Sequence, residues 1–235
     1  MLFNYYFLEL LLIPGIILAL IAQIKVTYAY NRYSCIENKK NLTGKDAALL
    51  MLQKAGIKDV DILKTSGKLT DNYNPRNKTL NLSKEVYEGN SIAAISVACH
   101  EAGHAIQHHK NCLMLKFRGF LIPIYNIGNY MLMPLVILTI ISAFLFPAAN
   151  ISKFIVYFTV GLFFLSMIIS LITLPIEIDA SKKAKRNLME LSLIEENEVE
   201  GVKKVLNAAA LTYVAGLVIS VLNLLRILII FKNND

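Results

Sequence analysis

The sequence from Phe154 to Ile176, FIVYFTVGLFFLSMIISLITLPI, contains no charged side chain. A helix needs about 20 apolar residues to cross a hydrocarbon core about 30 Å thick, so this stretch is long enough to span a bilayer. The whole chain agrees with this interpretation, because 55% of its 235 residues are hydrophobic and only 17% are charged, whereas soluble proteins carry about 25% charged residues. The sequence therefore predicts an integral membrane protein.

Three further apolar stretches are candidates for membrane helices, at residues 7–24, 120–146 and 205–225. No basic segment precedes the first of them and Lys25 follows it, which favours a retained anchor over a cleaved signal peptide. The stretches 120–146 and 154–176 are separated only by PAANISK, so we expect them to form a helical hairpin. We predict a mainly α, multi-pass protein of the cell membrane, with about four transmembrane helices and a small α+β domain.

The polar residues are concentrated in two segments that contain most of the 24 Lys and Arg residues. Basic loops stay on the cytoplasmic side of a membrane, so both segments are expected to face the cytosol. The basic residues flank apolar stretches and do not alternate with aromatic residues, so the net charge of +7 does not indicate nucleic-acid binding. The expected organisation is an N-terminal anchor, a polar domain, a hairpin, a second polar segment and a C-terminal apolar helix that crosses the membrane, at 1–30, 31–118, 119–176, 177–204 and 205–235.

The polar domain at 31–118 contains signals for both helices and strands. Thr43 is a suitable N-cap for a helix that ends near Gly56, and Ser91 is a suitable N-cap for a later helix. Between them, VDILKT and TLNLS have the composition of short strands, and Asn and Pro residues mark the turns that join them. These signals predict a small α+β domain.

The sequence His100-Glu101-Ala102-Gly103-His104 is an H-E-x-x-H motif. On a helix, residues i and i+4 lie on one face, so the two imidazoles can bind one metal ion while the glutamate lies beside them. Zinc suits such ligands, and Glu101 is then the expected general base that takes a proton from a zinc-bound water. Only four histidines occur in the chain, so a shuffled sequence would contain the motif on the order of 0.003 times. The motif predicts one zinc ion per chain, with His100 and His104 as ligands.

A catalytic zinc ion needs a third protein ligand, and the motif helix does not supply it. His108 lies on the same helix face but about 12 Å from His100 along the axis, so His108 and His109 are interpreted as polar residues or as groups that orient the ligands. The hairpin must return the chain to the side on which the motif lies, and Glu177 then arrives next to the motif helix. We predict Glu177 as the third ligand, with Asp179 as the alternative or as a partner that orients a histidine.

The chain resembles the YugP-like membrane zinc metallopeptidases over nearly its whole length. The resemblance rests on an N-terminal span, on LTDNYNPRNKTLNLSKEVYEGNSIAAISVACHEAGHAIQH from Leu69 to His108, and on LPIEIDASKKAK from Leu174 to Lys185. It implies a zinc-dependent peptidase of the membrane, with a zincin-like, gluzincin-like catalytic domain at 31–118, that acts on a peptide or protein substrate.

A more distant similarity is to HtpX-type membrane peptidases, in which a glutamate in an E-x-x-x-D motif past a transmembrane hairpin is the third ligand. Glu177 matches that glutamate, but Ser181 stands where the pattern has aspartate, so the residue that orients the ligand is left open. In such zincins the strand before the motif helix receives the substrate by strand addition, which implies an edge strand at Thr79–Leu82. An ordinary strand that packs inside the domain is an equally good interpretation of this segment.

The leading functional interpretation is hydrolysis of peptide bonds, with His108 or Tyr73 as a candidate donor to the oxyanion. A site close to the bilayer suits the processing or quality control of membrane proteins. Two alternatives stay open on the same residues: a non-catalytic, zinc-stabilised membrane scaffold or adaptor, and a zinc hydrolase of a non-peptide substrate such as a lipid amide. Glu101 argues against the scaffold, because a structural site needs no general base.

Overall fold

The computed structural model describes residues 9–145 and 151–232. The helices and strands of these residues, in chain order, are α1 (Ile13–Ser34), α2 (Gly44–Lys54), β1 (Asp61–Thr65), β2 (Asn72–Asn74), β3 (Thr79–Ser83), α3 (Lys84–Tyr87), α4 (Ile92–His109), α5 (Leu113–Leu145), α6 (Ile151–Glu190), a 3₁₀ turn (Glu196–Glu198) and α7 (Val199–Lys232).

Four helices of the described chain, α1, α5, α6 and α7, are long and apolar enough to cross a membrane. The predicted membrane architecture is thereby confirmed, although parts of the predicted first and second stretches, residues 7–8 and 146, lie outside the described residues. Arg226 follows the last predicted stretch, and its Nη1 lies 2.6 Å from Oε2 of Glu9. This ion pair joins the end of α7 to the segment before α1 and reduces the cost of a charge among apolar helices. The domain boundaries drawn from the sequence stay predictions.

The helix caps of the polar domain follow from local sequence. The Thr43 side chain accepts a hydrogen bond from the backbone of Asp46 at the start of α2, and Ser91 accepts one from Ala94 at the start of α4. Both predicted caps are confirmed. Gly56, just beyond α2, has φ of 72°, a left-handed conformation that glycine adopts without strain.

The sheet has the strand order β1-β3-β2, with β1 parallel and β2 antiparallel to β3. The predicted strands VDILKT and TLNLS correspond to β1 and β3, whereas β2 lies where the sequence predicted only turns. The expected edge strand at Thr79–Leu82 is wrong, because β3 is the central strand and its Leu80 and Leu82 are fully buried. Strand β2 pairs outside β3 and is the edge next to α4.

Helix α4 is the centre of the polar domain and contacts α2, α6 and α7. Its sequence allows close packing because many of its buried residues are small: Ala93, Ala94, Ala98, Cys99, Ala102, Gly103 and Ala105. Fully buried side chains of the surrounding elements complete this core: Met51, Leu80, Leu188 and Val202. The helix that carries the H-E-x-x-H motif is therefore held from several sides.

Candidate metal centre

Helix α4 brings the three motif residues together. The potential ligand atoms of His100, Glu101 and His104 all lie within 4.8 Å of one another. The two imidazole rings are 4.9 Å apart between centroids and meet edge to face. One helical turn thus presents two imidazole nitrogens and a carboxylate to the same point.

Helix α6 adds Glu177 to this group. Its Oε2 lies 3.2 Å from Nε2 of His100 and 3.3 Å from Nε2 of His104. Zinc bonds of about 2.0–2.2 Å in tetrahedral geometry separate neighbouring ligand atoms by about 3.3 Å. Glu177 is only 2% exposed, and a buried carboxylate needs such partners. The three side chains therefore fit a zinc ion by both their chemistry and their spacing, and their role as ligands stays a prediction.

A glycine inside the motif allows α6 to approach α4. A Cβ atom on Gly103 would lie 2.8 Å from the carbonyl oxygen of Ala180 and 3.1 Å from its Cα. These contacts are with backbone, which cannot move aside as a flexible side chain can. Because Ala180 lies about one helical turn after Glu177, the close contact at Gly103 sets the distance between Glu177 and the histidines.

Replacing Gly103 by alanine is expected to push α6 away from α4. The overpacked contact should cost about 1–3 kcal/mol of unfolding free energy and should weaken zinc binding, because Glu177 moves with α6. Thermal unfolding in detergent and a zinc titration measure the two effects. Gly216→Ala is the matched control, since Gly216 is an exposed helical glycine with no atom within 4 Å of its added Cβ. Equal behaviour of the two variants would contradict this role for Gly103.

The outer nitrogens of both histidines have partners. Nδ1 of His104 lies 3.0 Å from Oε1 of Gln107, whose Nε2 donates to Asp179 Oδ2 at 2.7 Å and to the Ile176 carbonyl at 2.8 Å. Nδ1 of His100 lies 3.1 Å from Oγ of Ser181. Such partners fix the orientation of a metal-binding imidazole and leave its Nε2 free to bind.

This arrangement favours one of the two sequence-based roles for Asp179, that of a partner that orients a histidine, and the role itself stays a prediction. Asp179 contacts Gln107, and Gln107 in turn contacts His104. This is the position expected of a residue that orients a metal ligand without binding the metal itself. Ser181, which stands where the E-x-x-x-D pattern has aspartate, contacts His100. Sequence reasoning missed Gln107, although its place three residues after His104 on the same helix face was a usable signal.

Glu101 is held at the site by a strand. Its Oε2 accepts a hydrogen bond from the backbone N–H of Tyr73 in β2, at 3.1 Å. Burial raises the pKa of the Glu101 carboxyl above its ordinary value, and the neighbouring His100 and His104 oppose this effect. A partly buried carboxylate with one backbone donor and two adjacent imidazoles is suited to proton transfer.

The site opens into a cavity of about 340 Å³. Glu101, His104 and Glu177 line it, together with Arg118 of α5 and Tyr213 of α7. The Nη1 atom of Arg118 lies 3.7 Å from Oε1 of Glu177. Sequence reasoning missed both Arg118 and Tyr213, because they belong to apolar helices far apart in the chain and to no local motif.

The candidate oxyanion donors named from the sequence differ in their positions. Tyr73 lines the site cavity, but its hydroxyl group is 2.8 Å from Nδ1 of His108. His108 and His109 line a neighbouring cavity. Tyr73 therefore lies between the two cavities with its hydroxyl group at His108, and both of these histidines lie outside the site cavity.

Comparisons with known proteins agree with the geometry of the site. Residues 8–232 match the protein family described as "Putative neutral zinc metallopeptidase". The protein "Putative membrane protease YugP" of Bacillus subtilis (strain 168) is 40% identical over 213 residues, which cover 90% of this chain and 91% of that protein. No solved structure matches the chain significantly. The resemblance inferred from the sequence is confirmed, and the chain belongs to the family described as "Putative neutral zinc metallopeptidase".

Proposed function

We propose that the protein is a membrane-embedded zinc peptidase that hydrolyses peptide bonds. His100, His104 and Glu177 would hold one zinc ion per chain, and Glu101 would act as the general base. The observation that carries the proposal is the approach of Oε2 of Glu177 to within 3.2–3.3 Å of both histidine Nε2 atoms, with a second carboxylate, Glu101, in the same cavity. A structural site would need no such second carboxylate.

The chemistry needs a base and a polarised carbonyl group. A bound zinc ion lowers the pKa of water and polarises a carbonyl oxygen. Glu101 accepts the proton of the attacking water and passes it to the nitrogen of the leaving amine. The hydrogen bond from Tyr73 keeps the Glu101 carboxylate aimed at the cavity during both transfers.

Arg118 is a cationic residue that lines the site cavity and would face the negative charge that develops on the carbonyl oxygen. Arg118→Ala is expected to lower kcat roughly a hundredfold, with the zinc content unchanged. Arg118→Lys should recover part of this loss because it restores the charge. Loss of zinc from Arg118→Ala would contradict this role and would assign Arg118 to the support of Glu177.

The substrate would be a peptide or a protein, including membrane proteins in the course of processing or quality control. Two membrane helices, α5 and α7, contribute Arg118 and Tyr213 to the cavity, so the site lies next to the apolar layer. Asn72 and Tyr73 of the edge strand β2 also line the cavity, which makes β2 the strand that an extended substrate would meet.

Hydrolysis of a quenched-fluorescent peptide library by the purified full-length chain tests this function. Turnover should stop when a zinc chelator is added and return when zinc is restored. Mass spectrometry of the products should show new amino and carboxyl termini. Cleavage that persists in excess chelator, or products without a broken peptide bond, would contradict the proposal.

We also propose that the polar domain faces the cytosol, and Cys35 provides a test. Cys35 is exposed, whereas Cys99 is buried and burial raises its pKa to about 12, so Cys99 should not react. In a Cys112→Ser background, a membrane-impermeant maleimide should label Cys35 only after the membrane is disrupted. A Cys35→Ser/Cys112→Ser variant controls for background. Labelling in intact cells would place the domain on the outer side.

A further inference from the structure

A second cavity, of about 1100 Å³, lies at the polar end of α6 and is distinct from the site cavity. We call it the basic cavity, because six of its lining residues are cationic: Lys54, Lys110, Lys182, Lys183, Lys185 and Arg186. Only two of its lining residues, Asp179 and Glu190, are acidic. Its wall therefore carries an excess of positive charge.

The acidic residues do not neutralise the whole wall. Asp179 pairs with Lys183, and Glu190 pairs with Lys54 and Arg186. Within residues 9–145 and 151–232, the three remaining lysines have no ion-pair partner: Lys110, Lys182 and Lys185. Unpaired ammonium groups around one concave surface attract an anion.

The position of the basic cavity relative to the membrane indicates which class of anion it would bind. The charge-free stretch of α6 ends at Ile176, and Lys182 follows about 9 Å further along the helix. The polar layer on each side of the hydrocarbon core is about 5–8 Å thick, and lysine side chains extend toward it. The lining also includes an apolar residue of α4, Ile106, which suits the carbon atoms of a lipid glycerol.

We propose that the basic cavity binds the headgroup of an anionic phospholipid, with Lys182 and Lys185 at the phosphate. This site goes beyond the proposed peptidase activity and does not depend on it. The bound headgroup would lie beside Asp179, whose carboxylate accepts from Gln107, the partner of His104. The hydrogen bonds from Asp179 through Gln107 to His104 would then connect the bound headgroup to the candidate metal centre.

Native mass spectrometry of the full-length chain in detergent tests the proposal. The chain is titrated with palmitoyl-oleoyl phosphatidylglycerol and, separately, with phosphatidylcholine of the same acyl chains. The wild type is expected to retain phosphatidylglycerol preferentially, and Lys182→Gln/Lys185→Gln should reduce this retention roughly tenfold. The matched control is Lys39→Gln/Lys40→Gln, which removes the same charge from two exposed lysines outside the cavity and should behave as the wild type.

Several results would overturn the proposal. If Lys182→Gln/Lys185→Gln retained as much phosphatidylglycerol as the wild type, these lysines would not bind the lipid. If the control variant lost as much retention, the effect would be due to net charge alone. Equal retention of the two lipids would exclude recognition of the headgroup charge. Displacement of phosphatidylglycerol by millimolar inorganic phosphate would assign the cavity to a free anion.

Discussion

Replacing Glu101 by glutamine is expected to lower peptide hydrolysis by about two to four orders of magnitude while the zinc ion stays bound. Glutamine keeps the size of the side chain and an oxygen that can accept the hydrogen bond from Tyr73. It cannot accept a proton at neutral pH, so the attacking water loses its base. The measurement is turnover of a cleaved peptide by variant and wild type, with zinc determined in the same samples.

The control for this variant is Glu88→Gln, the same change at an exposed glutamate paired with Lys64. It should leave turnover unchanged. Undiminished turnover in Glu101→Gln would contradict the mechanism. Loss of zinc from that variant would contradict the ligand assignment, because Glu101 and Glu177 are both close enough to the histidines to compete for the role.

Removing Glu177 is expected to weaken zinc binding more than any change outside the ligand set. Glu177→Ala leaves two imidazoles and leaves Arg118 without the carboxylate 3.7 Å away. Loss of a residue that orients a metal ligand lowers metal affinity roughly 10–100-fold. Loss of the ligand itself should therefore lower the affinity for zinc more than a hundredfold. Competition with a chromophoric chelator, in detergent, measures the affinity.

Asp179→Ala is the matched comparison, since Asp179 is the alternative carboxylate on the same helix. It contacts Gln107 and not the motif histidines. We therefore expect Asp179→Ala to lower the affinity for zinc by roughly 10–100-fold, as for other residues that orient a ligand. Thermal unfolding of both variants should show that each is folded. A larger loss of affinity in Asp179→Ala than in Glu177→Ala would reverse the assignment of the two carboxylates.

The parts of the fold that sequence reasoning predicted correctly depend on local pattern, whereas the ligand set, which stays a prediction, depends on helical spacing and on chain direction. The caps Thr43 and Ser91 are set by residues within one helical turn, and the spacing of His100 and His104 needs only a helix. Glu177 is far from them in sequence, but a membrane hairpin leaves little choice about the side to which the chain returns. The approach of its Oε2 to both histidines depends in addition on the close packing of α6 against α4 at Gly103.

The parts that were missed depend on contacts between distant segments. Strand β2 is short and contains two asparagines, Asn72 and Asn74, which are disfavoured in strands, so no local signal separates it from a turn. Its pairing outside β3 makes Thr79–Leu82 central instead of peripheral. Arg118 and Tyr213 meet at the site cavity only because α5 and α7 both pack near α4, and hydropathy alone gives no information about such packing.

The most direct test of the zinc site is the zinc content of the purified full-length protein, measured by elemental mass spectrometry beside Glu177→Ala. We expect about one zinc ion per chain in the wild type, and a content well below that in Glu177→Ala after dialysis against a weak chelator. Absence of zinc from the wild type, or an equal content in the variant, would contradict a site built from His100, His104 and Glu177.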